Sequence, residues 1–344
     1  MSKYAGMRED LVQAGGGNSS VKLDKQTMII KASGFQLADI TEEDGYAIVD
    51  PEVVVDFFGD NKMEEIKEEQ EQEILTIAFV SGKKPSIETF LHAITDKYTL
   101  HTHPTLVNIL TARSNGFDIL QQLFPDALLV PYATPGINLA KEYFMAHRKS
   151  KLLENQIFDI VFLKNHGLIV SGKRGSDVIA KTEEVIEKIA DYLKIDIIHN
   201  QKVTQIYNLM KKVDPNFSDI VVMSNNKTIQ EYVRFEYAGR WDYSFCPDCV
   251  VYCGKQVLVL NDCEDIKVVQ NHIEQYGKPV VVLWNQNTYI IAQSIKKVKE
   301  IECVLAFSAE VIMYNKGHEI DLLSEREKDF LLNWDSEKYR KNMK

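Results

Sequence analysis

The chain has 344 residues, a length that suggests about two domains, each able to bury a core. Hydrophobic residues make up 45% and charged residues 26%, a balance that excludes a disordered or fibrous polypeptide. A formal net charge of -10 argues against a nucleic-acid partner, because phosphate-backbone affinity rests on clustered lysine and arginine. It leaves a small anionic substrate open, since a few local donors can hold one.

The opening MSKYAGMRED is charged and has no apolar run of the kind a secretory signal needs. No later stretch is long enough to span a bilayer, so a cytoplasmic chain with no membrane partner is expected. Cys246, Cys249, Cys253, Cys263 and Cys303 all lie in the last third. An odd number without an export signal points to free thiols.

In chain order, residues 4–13 read as a short helix, which AGGGNSS breaks before two alternating strands, VKLD and TMIIKA. YAIVDPEVVVDFF reads as further strand interrupted by proline, and the charge-dense NKMEEIKEEQEQE as a solvated helix or linker without chemistry. PSIETFLHAI fits a helix start: Pro85 and Ser86 supply entry and cap, and Phe90, Leu91 and Ile94 an apolar face. Glu88 then falls in the first turn and His92 one turn on. YTLHTH reads as a strand and TLVNILTARS as a helix, while ALLVPYATPGINLAKEYF runs from strand through a loop into helix. IFDIVFLKNHGLIVSG predicts two strands about a turn at 164–167, and an amphipathic helix follows over about 174–194.

Beyond about residue 200 the texture changes, giving expected domains of 1–200 and 201–344. Polar helical sequence leads to β-rich CVVYCGKQVLVL, KPVVVLW and TYIIAQS, with helix-like stretches at 263–277 and 295–315. This alternation predicts a smaller α/β domain. No repeat of fixed period is present.

The chemistry begins at TLHTHPTL. Side chains two apart on a strand share a face, so His101 and His103 present two imidazoles to one point. Alone the pair is a weak signal, better explained by packed or exposed histidines than by a metal. His166, at the turn LKNHG, offers a third imidazole, and a catalytic zinc site typically takes three protein ligands and keeps an open position. Glu88 in a first helical turn is already favoured by the helix's positive end. Beside a divalent ion it can also coordinate, or act as general base. The loops GGGNSS, KASG and PSIE are individually only turns, although glycine-rich turns and helix starts bind phosphate through backbone N–H groups. No Walker spacing is present. Cys-x2-Cys-x3-Cys at 246–253 lacks a fourth ligand at familiar spacing, so thiols are expected there rather than a second metal site.

Taken together and in order, DLVQAGGGNSSVKLD, MIIKASGFQLADI, PSIETFLHAI, TLHTHP and LKNHGLIVSG resemble the class II aldolase/adducin family over about the first 200 residues. The resemblance implies a three-layer αβα domain with a mixed central sheet, and a homotetramer. It implies Zn²⁺, or another divalent metal, on His101, His103 and His166, with Glu88 as acid/base. It also implies a phosphate cradle of Gly17, Asn18, Ser33, Gly34 and Ser86, a small phosphorylated sugar as substrate, and Tyr132 as a candidate further acid. The family's aldolases carry Glu at this place where its 4-epimerases carry Asp, which favours carbon–carbon cleavage. Decarboxylation, dehydration and epimerisation use similar chemistry, and adducin-like members keep the fold without it. Ile87 stands where many family aldolases have a second serine, removing one hydroxyl donor to phosphate. The tail beyond residue 200, including CPDCVVY, resembles the middle region of aldolase/short-chain dehydrogenase fusions such as the rhamnulose-phosphate type, without their dehydrogenase. Any redox step would then fall to a separate protein.

Overall fold

The structure is a computed structural model that describes residues 1–60, 65–150, 157–234, 244–262 and 264–333. They divide into two units, Met1–Ile197 and Ile198–Lys344.

Unit 1 is built on eight strands: β1 (Asn18–Lys22), β2 (Met28–Lys31), β3 (Tyr46–Val49), β4 (Phe79–Gly82), β5 (Tyr98–Thr102), β6 (Leu128–Val130), β7 (Ile160–Leu163) and β8 (Gly167–Gly172). Its helices are α1 (Ser2–Gly6), α2 (Pro51–Asp60), α3 (Glu71–Ala78), α4 (Thr89–Ala93), α5 (Thr105–Thr111), α6 (Gly116–Leu123), α7 (Ile137–Lys149) and α8 (Gly175–Leu193). The strands form one mixed sheet, ordered β4-β3-β2-β1-β5-β8-β7-β6.

Period-two alternation sorts the side chains into two apolar layers. Leu100, Phe162, Leu168 and Val170 pack with Leu110 of α5, Leu120 of α6 and Val185 of α8. Val161, Leu163 and Ile169 join Val54 and Phe58 of α2, Phe90 of α4 and Tyr143 of α7 on the other face. The result is the expected three-layer αβα domain with a mixed sheet. Because Leu100 faces the first layer, His101 faces the second, the side on which α4 packs.

Strand direction gathers the loops at one end of this sheet. β1 runs antiparallel to both β2 and β5, β3 is antiparallel to β2 and β4, and β8 is antiparallel to β5 and β7. The entry to β1 therefore lies beside the exits from β2, β4, β5 and β7.

Two stretches of unit 1 depart from the sequence expectation. The helix expected over 4–13 is only α1, followed by turns. PEVVVDFFGD is helix α2 rather than strand: proline suits a first helical turn, and Val54 and Phe58 bury completely four residues apart. The charge-dense segment begins with residues 61–64, which lie outside the described residues, and its remainder leads through a short 3-10 turn into α3.

Unit 2 holds β9 (Ile220–Met223), β10 (Leu258–Leu260), β11 (Val281–Trp284) and β12 (Asn287–Ala292) in the order β10-β11-β12-β9. Its helices are α9 (Ile198–Val213), α10 (Lys227–Arg234), α11 (Pro247–Cys253), α12 (Ile266–Tyr276), α13 (Ile295–Tyr314) and α14 (Glu325–Asn333). β9 lies within sequence read only as polar helix. CVVYC, read as strand, is the body of α11, because Cys249, Val250 and Cys253 bury at helical spacing. Among the described residues no helix is long and apolar enough to cross a membrane.

Candidate metal centre

His101 stands on β5 opposite Ile169 of β8, and its Nδ1 meets the carbonyl oxygen of Leu168 at 3.0 Å. A carbonyl only accepts, so Nδ1 carries a proton and Nε2 is the ring nitrogen that faces the cluster. His103 follows the strand by one residue, its backbone N–H donating to Leu11 O at 2.9 Å. His166 sits in the β7–β8 turn, whose carbonyl accepts from Asn108 Nδ2 of α5 at 3.1 Å. Gly167 makes that turn possible, since a Cβ there would stand 2.3 Å from Thr102 O.

These placements bring three imidazoles to one point, every pair of rings having centroids 4.9 Å apart. His101 Nε2 lies 3.0 Å from His103 Nε2 and 3.3 Å from His166 Nε2. Glu88 completes the group, its Oε1 3.3 Å from His101 Nε2 and 3.6 Å from His166 Nε2. α4 begins at Thr89, so Glu88 is its N-cap rather than a first-turn residue, and the carboxylate accepts no capping hydrogen bond. It turns to the histidines instead. The stabilising effect of a helix start does not account for that orientation.

The spacing fits a cation. A tetrahedron with metal–donor distances of ~2.0–2.1 Å has edges of about 3.3 Å, close to the four separations above. Among the described residues this is the one group of three or more such side chains whose donor atoms all lie within 4.8 Å of each other. His101 is fully buried, while the side chains of Glu88 and His166 each keep 12% exposure. The centre is therefore closed behind and open in front.

Charge follows from that setting. Burial opposes ionisation of Glu88, but His101's charge and the hydrogen bonds from His101 and His166 outweigh it and hold the carboxyl well below the usual range. Burial pulls His103 down to about 3, with the neighbouring imidazoles adding to the effect. A divalent ion binds imidazole through an unprotonated ring nitrogen, so its binding here would displace the protons these groups share. His92, wholly buried and also pulled down to about 3 by burial, hydrogen-bonds Ser20 Oγ through Nδ1 at 2.8 Å rather than the Glu88 carboxylate.

The expected phosphate-binding residues occupy the same end of the sheet. Gly17 and Gly34 adopt positive φ, 75° and 84°. Asn18 is buried, with Oδ1 accepting from Ser19 N and its amide nitrogen unengaged. The KASG and PSIE loops are joined by a bridge between Ala32 and Pro85 and by Ser33 N donating to Lys84 O at 2.9 Å. Ser86 Oγ accepts from Glu88 N at 3.3 Å. Tyr132 is not brought to the cluster: it is 59% exposed in the loop after β6, three strand spacings, about 14 Å, from β5.

Sequence reasoning passed over Lys31 and Asn108. Lys31 is buried at the end of β2, and its Nζ reaches only Gly15 O at 3.4 Å and Ala32 O at 3.5 Å. Burial lowers its pKa while Glu88 raises it. A lysine closing the apolar run MII was the available signal. Asn108 holds the His166 turn from an amphipathic helix that carries no local mark of that task.

Residues 3–193 match the family described as class II aldolase and adducin N-terminal domain. The chain belongs to this family. The unit resembles the N-terminal class II aldolase domain of a conserved Thermoplasma acidophilum protein, at 26% identity and a TM-score of 0.48, covering 56% of this chain and 90% of that one. It is also similar to an L-fuculose 1-phosphate aldolase (22% identity, TM-score 0.38, 54% and 78% covered). The L-fuculose-1-phosphate aldolase of Thermus thermophilus is a further likeness (18%, TM-score 0.35, 56% and 94%). No curated protein matches the sequence.

Proposed function

We propose that this protein is a zinc-dependent aldolase that reversibly cleaves a phosphorylated ketose into dihydroxyacetone phosphate, or a similar fragment, and an aldehyde. The meeting of His101, His103, His166 and Glu88 within 4.8 Å carries the proposal, because a merely structural cluster would not leave those donors facing an opening. A divalent ion held there supplies a Lewis acid that polarises the substrate carbonyl and offsets the negative charge developing on cleavage.

The chain's own residues do the rest. Glu88, ionised at neutral pH, takes up at its carboxylate the proton exchanged with the carbon beside the carbonyl. The β1, β2 and Ser86 loops bind the remote phosphate, through Asn18 Nδ2, the Ser33 hydroxyl and backbone N–H groups around Gly17 and Gly34. Lys31 adds a positive charge between two of these loops. Fixing the phosphate sets the reacting carbons against the centre and lowers the entropic part of the barrier.

The test is a screen of dihydroxyacetone phosphate against a panel of aldehydes, with zinc and with a chelator. Zinc-dependent carbon–carbon bond formation is expected, with Glu88→Gln retaining one metal ion per chain and losing turnover. Release of CO₂ or water without an aldehyde would replace the aldolase by a decarboxylase or dehydratase. A chain that binds no metal and turns over no phosphorylated ketose would favour an adducin-like binding protein.

A further inference from the structure

A second cluster of reactive side chains lies in unit 2 and takes no part in the chemistry above. Cys246, Cys249 and Cys253 fall within eight residues at helix α11. Cys246 is the N-cap, with extended backbone (φ -137°, ψ 154°), and its side chain caps no backbone N–H. Cys249 follows in the first turn. The thiols of these two meet, with Sγ atoms 3.4 Å apart. Cys249 and Cys253 are fully buried, whereas Cys246 keeps partial exposure.

Two simpler accounts fall short. Buried cysteines often serve as small apolar residues, which suffices for Cys249 and Cys253 but not for a partly exposed Cys246 in contact with Cys249. A structural zinc site needs four converging donors, and among the described residues the one group of three or more such side chains is the Glu88 and histidine cluster of unit 1. What remains is an accessible thiol touching a buried one across two residues, one of them Pro247.

We propose that Cys246 and Cys249 are a reversible dithiol–disulfide couple, a redox modification site that exchanges with small disulfides of the glutathione type. The Cys246 thiolate attacks one sulfur of the reagent, whose S–S bond breaks to release a thiolate and leave a mixed disulfide on Cys246. Cys249 then gives up its proton and attacks Cys246 Sγ, forming the internal S–S bond and expelling the second thiolate. Two electrons pass from the cysteine pair to the reagent, and the two released protons convert its halves to thiols. Burial pushes the Cys249 thiol up, so the accessible Cys246 attacks first and Cys249 resolves. Closure shortens the sulfur separation to ~2.05 Å, a movement of about 1.4 Å that the N-cap residue can make from outside the helix.

The test equilibrates the full-length protein in glutathione buffers of stepped oxidation. The samples are then acid-quenched, alkylated and digested for mass spectrometry. In oxidising buffer the peptide holding Cys246 and Cys249 should lose two hydrogens and both alkylations, and regain them on reduction. Cys246→Ser should abolish the change and leave Cys249 fully alkylatable after denaturation, whereas Cys303→Ser, on the exposed thiol of α13, should not alter it. Three results would overturn the proposal: both cysteines still alkylatable at the oxidising limit, an internal bond linking Cys249 to Cys253 instead, or stoichiometric zinc lost in Cys246→Ser but kept in His101→Ala.

Discussion

Gly16→Ala is the sharpest probe of how the glycine run supports the candidate metal centre. A Cβ at Gly16 would stand 2.9 Å from His103 Nδ1, 3.3 Å from His103 Cε1 and 3.0 Å from Gln13 O. Non-bonded heavy atoms rest at ~3.5 Å or more, so the imidazole must retreat by about 0.6 Å. Metal–donor distances tolerate only about ±0.2 Å, and disturbing the support of a ligand typically costs ~10–100-fold in affinity, or roughly 1.4–2.8 kcal/mol. Gly15→Ala is the matched control, because its Cβ meets nothing within 4 Å.

The assay strips the protein of metal and titrates zinc in competition with a chromophoric chelator, while thermal unfolding of the apo forms monitors the fold. Gly16→Ala should lose roughly 10–100-fold in zinc affinity, with apo stability changed by no more than about 1 kcal/mol. Gly15→Ala should match the wild type in both. Wild-type affinity in Gly16→Ala, or equal losses in the two variants, would refute the idea that this loop sets the position of His103.

Lys31→Met should raise KM for a phosphorylated substrate by roughly 10–100-fold, the worth of one charge-assisted hydrogen bond, while leaving KM for its unphosphorylated analogue within about twofold. Steady-state kinetics on both substrates checks this. Lys22 of β1 donates to the carbonyls of His92, Thr95 and Asp96 at 2.8, 2.6 and 3.3 Å, and burial lowers it from 10.5 to about 8. The folded protein thus sheds this proton before the unfolded chain does, so the contribution to stability rises as pH climbs from about 8 to above 10, by at most about 3 kcal/mol. Urea unfolding across that range should show the rise in the wild type relative to Lys22→Met; buried tyrosines and cysteines titrate in both and cancel in the difference.

The features readable in the sequence are the ones local to a few residues. His101 and His103 share a strand face by parity, and the turn at His166 sits between two apolar runs. The family motifs together led to the three-layer fold. What could not be read is set by pairing between distant strands. β1 lies between β2 and β5 only because Ser20 pairs with both Ile30 and Thr99, and that placement brings the glycine run against His103. Propensity misled where burial decided: the valine run of α2 and the CVVYC of α11 favour strands in isolation, yet Val54, Cys249, Val250 and Cys253 bury on helical faces. Lys31 escaped notice because a buried cation has no periodic signature, and its value lies in which loops it joins.

The four donors are not held alike, and the difference suits the roles proposed for them. His101 is fixed by sheet register and by Leu168 O, His103 by its backbone bond to Leu11, and His166 by a hairpin turn tied to Asn108. Glu88 precedes a helix of only five residues, and its own N–H reaches Ser86 Oγ at 3.3 Å. A single turn of helix has little stability of its own, so α4 is held by packing: all five of its residues are buried, Phe90 among the second apolar layer. Ligands must keep their places through a turnover, whereas a group that carries a proton must approach and withdraw. In the proposed function, strand register and hairpin geometry fix the three ligands, and the side-chain torsions of Glu88 supply the movement its proton transfer needs, the helix behind it being packed in place.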